Sequence, residues 1–342
     1  MSRADDIKRV CFCEALYPLT FYLLLSSIEE IKHTMFFVDR RIAKCIQSRL
    51  PHIVVTDIDN KHKAVAPIFG WWMRLYCHIV HPYLYTAEVY GLDFKWQYLQ
   101  GVKLKYIEDG PNSFNLWETG PMYKRYQQYC KKPSFIRWVY RMLRGEFYQH
   151  PIATSNAVTD IFTTAKYEKP YHKGKKLHVY SWKELWNKST KEKQQYIYEI
   201  FGISQKDIEG LQKKKIILLT QAFSDDKMMT EDEQIELYRK ILQNYSAKDV
   251  VIKPHPRDFI NYKKAFPNVM YFDKVVPMQI LKVWGVDFEV IATVTSSSAL
   301  TFGIDKKIDW YGSYMHPGII KNEGLRTLEN AIENYKKQNN MI

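Results

Sequence analysis

From Val10 to Trp310 the chain keeps returning to one pattern: a short β-rich run, a turn, and a segment of helical length. The runs "VCFCEA", "TMFFVD" and "HIVVTDID" are separated by the helix-like "FYLLLSSIEEI" and "RRIAKCIQSRL", and "VKLKYIEDG" follows further on. A second series starts at "KIILLTQAF" and continues through "DVVIKPHP", "NVMYFD", "FEVIATVTSSSAL" and "KIDWYGS". Short apolar runs spaced by crossover helices specify parallel strands, because only a parallel pair needs so long a connection. The fold class predicted is therefore α/β, with two Rossmann-like doubly wound domains facing a cleft. Residues 1–160 are expected to form the first domain and 213–342 the second. Residues 161–212, lysine-rich and without a continuous apolar run, read as an interdomain connection with short helices, since Trp182, Trp186, Tyr196 and Phe201 need burial. At 342 residues the chain is long enough for two cores.

Charge narrows the partners without choosing among them. Lys and Arg number 50 against 37 Asp and Glu, for a net charge of +13, which suits nucleic acid, an anionic membrane surface or phosphorylated small molecules. The stretch from Met122 to Arg144, "MYKRYQQYCKKPSFIRWVYRMLR", interleaves cations with aromatics. It reads either as a solvated basic helix with its aromatics in the core or as a surface that docks on a membrane. Five scattered cysteines give no disulfide framework and no zinc spacing, and point to a reducing cytoplasm. Cys11 and Cys13 share one face of a strand and read as buried small hydrophobes. No secretory leader precedes residue 10, and Tyr17–Ser27 is shorter than the roughly 20 apolar residues of a span, so a soluble or peripheral protein is expected.

Doubly wound sheets bind ligands just beyond the carboxyl ends of their strands. Four stretches meet that condition. In "YIEDGPNSF", Glu108 and Asp109 follow a strand, and either carboxylate suits a general base, although Asp-Gly is also a common turn. Asp225 and Asp226 follow the run Ile216–Thr220; Thr230 and Glu233 already make the capping box of the next helix, which frees the aspartates. His255 stands between Pro254 and Pro256, whose rings restrict the backbone, and is flanked by Lys253 and Arg257. An imidazole in that setting can donate to a phosphate oxygen or serve as a structural group. Thr295, Ser296, Ser297 and Ser298 end a buried strand where a helix begins, and one N-cap needs only one of these hydroxyls. Asp57 and Asp59 have the D-x-D spacing of metal-dependent sugar transferases, a motif too short to be specific. No phosphate-binding P-loop, dinucleotide fingerprint or zinc-protease motif occurs.

Taken in order, "EDG" at 108–110, "KPHPRD" at 253–258 and "TSSSAL" at 295–300 resemble the motifs of bacterial sialyltransferases, and most closely glycosyltransferase family 52, the lipooligosaccharide and capsule enzymes. The resemblance spans most of the chain, though each motif is short. It implies a GT-B fold, CMP-sialic acid as donor, and inverting transfer to a terminal galactose with no metal or other cofactor. His255 would then act on the CMP phosphate; Ser296, Ser297 and Ser298 would bind it, with Lys253, Pro256, Arg257 and Thr295 around it. The base would be Glu108 or Asp109 by one branch of the relatives. By another it would be Asp226, in its "DK" context.

The resemblance further implies a bacterial cytoplasmic protein with a galactose-terminated glycan as acceptor and no nucleic-acid partner. Peripheral contact with an anionic inner membrane and a homodimer are left open. Two other readings stand beside it: a CDP-glycerol or CDP-ribitol phosphotransferase, whose "SDYSS"-like segment "VTSSS" lacks, and a non-catalytic binder of nucleic acid or membrane.

Overall fold

Each of the apolar runs becomes a parallel strand, and the chain divides into two compact units, Met1–Ile200 and Phe201–Ile342. The structure, a computed structural model, describes residues 6–56, 69–110, 127, 129–145, 147–148, 152–164 and 174–338. Asp57, Asp59 and residues 122–126 lie outside them.

The first unit is built on seven strands: β1 (Arg9–Cys13), β2 (Thr34–Asp39), β3 (His52–Thr56), β4 (Glu88–Gly91), β5 (Leu104–Ile107), β6 (Val158–Thr163) and β7 (Lys176–Val179). Their order is β3-β2-β1-β4-β5-β6-β7 and every pair is parallel. The order reverses between β1 and β4, which is where such sheets open a ligand crevice. β1 is central and buried from Val10 to Cys13, with Phe12 stacked on Phe37 at 4.6 Å. Cys11 and Cys13 are buried on one face, sulfur to sulfur 3.3 Å, as small hydrophobes. Gly91, at φ +120°, closes β4 against β1; a Cβ there would lie 2.2 Å from the Phe12 carbonyl oxygen, so no other residue fits.

The apolar run after β1 is a ten-residue helix, Leu16–Leu25, buried from Tyr17 to Leu24. Ser27 then starts a separate helix, Ile28–Lys32, with a full capping box, so the single predicted helix is two. Trp182 packs on Tyr17 and Phe21 of the buried helix at 4.5 and 5.9 Å. Among the described residues no helix is long and apolar enough to cross a membrane.

The expected domain boundaries need correction. β6 runs across the anticipated end of the first domain at residue 160, and β7 lies wholly inside the anticipated connection. β7 is the edge strand, exposed at both ends, and β6 beside it mixes buried with half-buried positions, so "VTDIFT" and "KLHV" carry polar residues and give no apolar run to read. The helices Trp182–Lys188 and Lys191–Phe201 also pack with this unit as far as Ile200, burying Trp182 and Trp186.

In the second unit β8 (Ile216–Leu219), β9 (Val250–Lys253), β10 (Met270–Tyr271), β11 (Val290–Thr293) and β12 (Lys307–Trp310) form a parallel sheet of order β10-β9-β8-β11-β12. Thr230 and Glu233 make the predicted capping box of helix Glu231–Leu242. Leu237, Tyr238 and Ile241 of that helix pack into a core with Leu218, Val250 and Ile252 from the sheet. Here the order reverses between β8 and β11, so the loops that follow β8, β9 and β11 meet at one edge.

Candidate active site

At that edge, His255 is the second residue past β9. Its backbone N–H donates to Thr220 Oγ1 at 3.3 Å, and its carbonyl accepts from Asp258 at 2.9 Å. Thr220 Oγ1 in turn donates to the Asp258 carboxylate, which also accepts from Tyr262 Oη at 2.9 Å and Gln234 Nε2 at 3.4 Å. Thr220, Asp258, Tyr262 and Gln234 are all buried. The prolines limit the backbone, but this buried network fixes where the loop sits. Within the loop, His255 Nδ1 accepts from the Arg257 N–H at 3.2 Å, which leaves the hydrogen of the neutral ring on Nε2. Burial pushes the imidazole below its usual value, and Arg257 and Lys253 push it the same way against the opposing pull of Asp226. At neutral pH the ring is therefore an uncharged hydrogen-bond donor through Nε2.

A second strand-end threonine organises the serine turn. Buried Thr293, the last residue of β11, donates to the Leu219 carbonyl at 3.3 Å and accepts from the Ser296 N–H at 3.1 Å. Thr295 is tied to Gln221 by its backbone N–H at 2.9 Å and to Glu323 by its hydroxyl at 3.1 Å, so it is a structural member of the turn. Ser297 and Ser298 open a 3-10 helix, Ser297–Phe302, two residues before the predicted start. Both are exposed, Ser296 is partly so, and their hydroxyls have no hydrogen-bond partner among the described residues. These three are free to take a ligand.

The cations beside His255 divide in role. Lys253 is buried, its ammonium donating to the Lys274 carbonyl at 3.1 Å and lying over the Phe272 ring; burial lowers it to about 8. Arg257 and Pro256 are exposed. Arg257 clamps Asp226 through both carboxylate oxygens, at 2.6 and 3.2 Å. Both oxygens of that carboxylate are therefore already engaged by the guanidinium. Asp225 is exposed.

The acidic turn of the first unit also splits between its two members. Glu108 is fully buried and accepts four hydrogen bonds: Tyr17 Oη at 2.8 Å, Thr163 Oγ1 at 2.6 Å, and Thr164 N and Oγ1 at 2.9 and 2.5 Å. Burial raises it, against those donors. Its oxygens are spent on joining β5 to β6 and to the buried helix Leu16–Leu25. Asp109, half-buried beside it, has no hydrogen bond or ion pair among the described residues. Burial pushes its carboxyl above the usual range, with Arg41 pulling the other way.

Around Asp109 stand groups that the linear motifs do not mark. Glu14 follows β1, Asp39 ends β2 and Asp93 follows β4, at the same edge as Asp109 after β5. Asp39 accepts from Arg41 N and Nε at 3.0 and 2.8 Å and from Lys95 Nζ at 3.1 Å; burial opposes these bonds, yet they hold it at about 2. Burial raises Glu14 to about 7, with the charges of Asp39 and Asp109 adding to it and Lys95 and Arg41 opposing. Asp93, fully buried and bonded to the Ala153 N–H at 2.8 Å, is also raised to about 7 by burial. Single carboxylates scattered between residues 14 and 109 give no sequence signal; only the strand order assembles them. Among the described residues no cluster of metal-ligating side chains occurs.

Two parallel, doubly wound sheets in tandem, with a His-Pro loop and a serine turn at one sheet edge and an acidic turn at the other, define the GT-B class. The profile of glycosyltransferase family 52 matches residues 91–318, more than half of the chain, and the chain belongs to that family. An uncharacterized protein of Haemophilus influenzae is 34% identical over 212 residues, covering 62% of this chain and 66%, just under two thirds, of its own length. A sialyltransferase of Photobacterium damselae, solved as its GT-B domain, superposes with a TM-score of 0.51 at 11% identity, over 88% of this chain and 89% of that one. A Photobacterium 2,6-sialyltransferase solved with CMP and lactose gives 0.53 at 11% identity, over 88% and 70%. At that identity the likeness establishes the fold.

Proposed function

We propose that the chain is an inverting sialyltransferase that moves sialic acid from CMP-sialic acid to the terminal galactose of a surface oligosaccharide or capsule. One observation carries the reading: Asp109, His255 and Ser296–Ser298 follow β5, β9 and β11 at the carboxyl edges of their sheets, in the family's motif order, and all have unspent hydrogen-bonding capacity. The CMP and lactose bound by the Photobacterium enzyme support a nucleotide-sugar donor and a galactoside acceptor here. The reading includes no metal or other cofactor, and a bacterial cytoplasmic setting.

The chemistry divides between the two units. Asp109, freer than saturated Glu108 and clamped Asp226, is assigned as the base. It takes the proton of the galactose hydroxyl as that oxygen bonds to the anomeric carbon of the sialyl group. The bond from that carbon to the phosphate oxygen breaks, and its electron pair leaves with CMP. Nε2–H of neutral His255 donates to the departing phosphate, and the hydroxyls of Ser296–Ser298 hold its other oxygens. A neutral donor suits this step because it stabilises developing charge without having to part with its proton.

The test compares Asp109→Asn with Asp226→Asn, using CMP-sialic acid and lactose. Loss of transfer by at least about 10²-fold in the first variant with CMP affinity retained, and a smaller loss in the second, supports the assignment. The reverse pattern moves the base to Asp226. Turnover of CDP-glycerol in place of CMP-sialic acid removes the sialyltransferase reading altogether.

A further inference from the structure

Among the described residues of the basic aromatic stretch, Phe135, Trp138 and Tyr140 are exposed. The helix Phe135–Arg144 begins at an N-capping Ser134 and packs against the helix Phe69–Val80 within the first unit. Both helices turn large apolar side chains outward. Phe135 is 76% exposed, Ile136 67% and Met142 61%; on the neighbouring helix Ile79 is 71% exposed, Trp71 65% and Trp72 56%. Isolated exposed apolar residues are ordinary, but two adjoining helices with so many mark an interaction surface.

The charge on this face has one sign. From residue 60 to 87 and from 119 to 145 the sequence contains no Asp or Glu. Arg74, Lys131, Lys132 and Arg137 are exposed. Arg141 and Arg144 are drawn inward instead, Arg141 over the Tyr129 ring at 3.8 Å and Arg144 over Tyr148 at 4.3 Å. A second copy of the chain would bring like charges together across a shared apolar face, which opposes self-association. Single-stranded nucleic acid would stack on the rings but would leave Ile79, Ile136, Met142 and Leu143 without a suitable partner. An anionic bilayer satisfies both features: headgroups for the cations and acyl chains for the aliphatic and aromatic side chains.

We propose that the helices Phe69–Val80 and Phe135–Arg144 form a docking surface for an anionic lipid bilayer, on which they lie in the interface without spanning it. The proposal is independent of the transferase reading, since it needs no catalytic residue. It is tested by flotation of the intact protein with vesicles of phosphatidylcholine alone and of phosphatidylcholine mixed with phosphatidylglycerol. Binding is expected to the mixed vesicles, to weaken in high salt, and to be slight with phosphatidylcholine alone. The variant K131Q/K132Q/R137Q should lose about 10²-fold in partitioning, at about fivefold per cation near an anionic surface. F135S/I136S should lose at least about tenfold by withdrawing the inserted side chains. K206Q/K213Q/K240Q, the same charge change in the second unit, should bind as wild type. Circular dichroism and melting curves confirm that each variant is folded.

Absence of binding by the wild-type protein overturns the proposal without reference to any variant. Equal binding to both vesicle types removes the anionic component, and equal loss in the control variant shows net charge at work in place of this face. A dimer in sedimentation velocity, or RNA binding, that the same apolar substitutions abolish while lipid binding persists assigns the surface to that partner.

Discussion

Replacing Thr220 by valine tests whether the His255 loop is positioned from beneath. The substitution keeps the volume and β-branching of a buried side chain and removes one hydroxyl. That hydroxyl accepts from the His255 N–H at 3.3 Å and donates to the carboxylate of Asp258. A hydrogen bond to a charged group contributes about 1.5–3 kcal/mol, and a long neutral one about 0.5 kcal/mol. Asp258 keeps Tyr262 and Gln234 as donors, which places the net cost at the lower end, about 2 kcal/mol. For a unit of this size that corresponds to a fall in Tm of about 5–10 °C. Activity should fall further than stability explains, because the loop that presents Nε2 loses its anchor to the end of β8; a loss of about tenfold in kcat is expected even where the protein is fully folded. The assay is differential scanning calorimetry with steady-state CMP release at 20 °C. Thr220→Ser restores the hydroxyl and should recover kcat while remaining slightly less stable than wild type. If Thr220→Val matches wild type in both Tm and kcat, the buried network does not hold the histidine.

Three other outcomes follow from the same geometry. Glu14 and Asp93 bind protons more tightly folded than unfolded, so the stability they contribute is complete below their ordinary carboxylate values and is lost as pH rises to about 7; Glu14→Gln should therefore raise Tm at pH 8 and leave it unchanged at pH 4, and an equal gain at both values would refute the linkage. Arg41 pulls the Asp109 carboxyl down; Arg41→Gln should move the acid limb of the kcat/KM profile to higher pH, whereas a limb that stays fixed would separate it from Asp109. A Cβ at Gly318 would lie 1.7 Å from the Met228 carbonyl oxygen, so Gly318→Ala must displace helix Pro317–Glu323 or the loop after β8; a cost of about 1–3 kcal/mol in a urea titration is expected, and an unchanged midpoint would mean the approach is looser than it stands here.

What the sequence made legible was what sits contiguously. Apolar runs such as Val250–Ile252 and Ile216–Leu219 announce buried parallel strands, and "EDG", "HP" and "TSSS" announce themselves as unusual groups at strand ends. What stayed hidden depends on neighbours distant in the chain. Thr163, Thr220 and Thr293 look like ordinary strand residues, yet each holds a motif: Glu108, His255 and Ser296. The division of labour inside the motifs was hidden too. Nothing in "EDG" says that Glu108 is saturated and Asp109 is not, because the donors come from residues 17, 163 and 164. β7 escaped because an edge strand needs no continuous apolar run, and β6 because Thr159, Asp160 and Thr163 interrupt its apolar residues. The basic aromatic helix was ambiguous because its composition fits burial and exposure equally; its neighbour, Phe69–Val80, decides by being exposed as well.

In the proposed reaction His255 meets the phosphate of a departing CMP. The direct measurement is single-turnover release of CMP from CMP-sialic acid, with lactose as acceptor, by wild type and by His255→Ala. Stoichiometric CMP and sialylated lactose are expected from wild type. For the variant the rate should be lower by about 10² or more, with donor affinity little changed and the same melting curve. A folded His255→Ala variant that releases CMP at the wild-type rate would contradict that role.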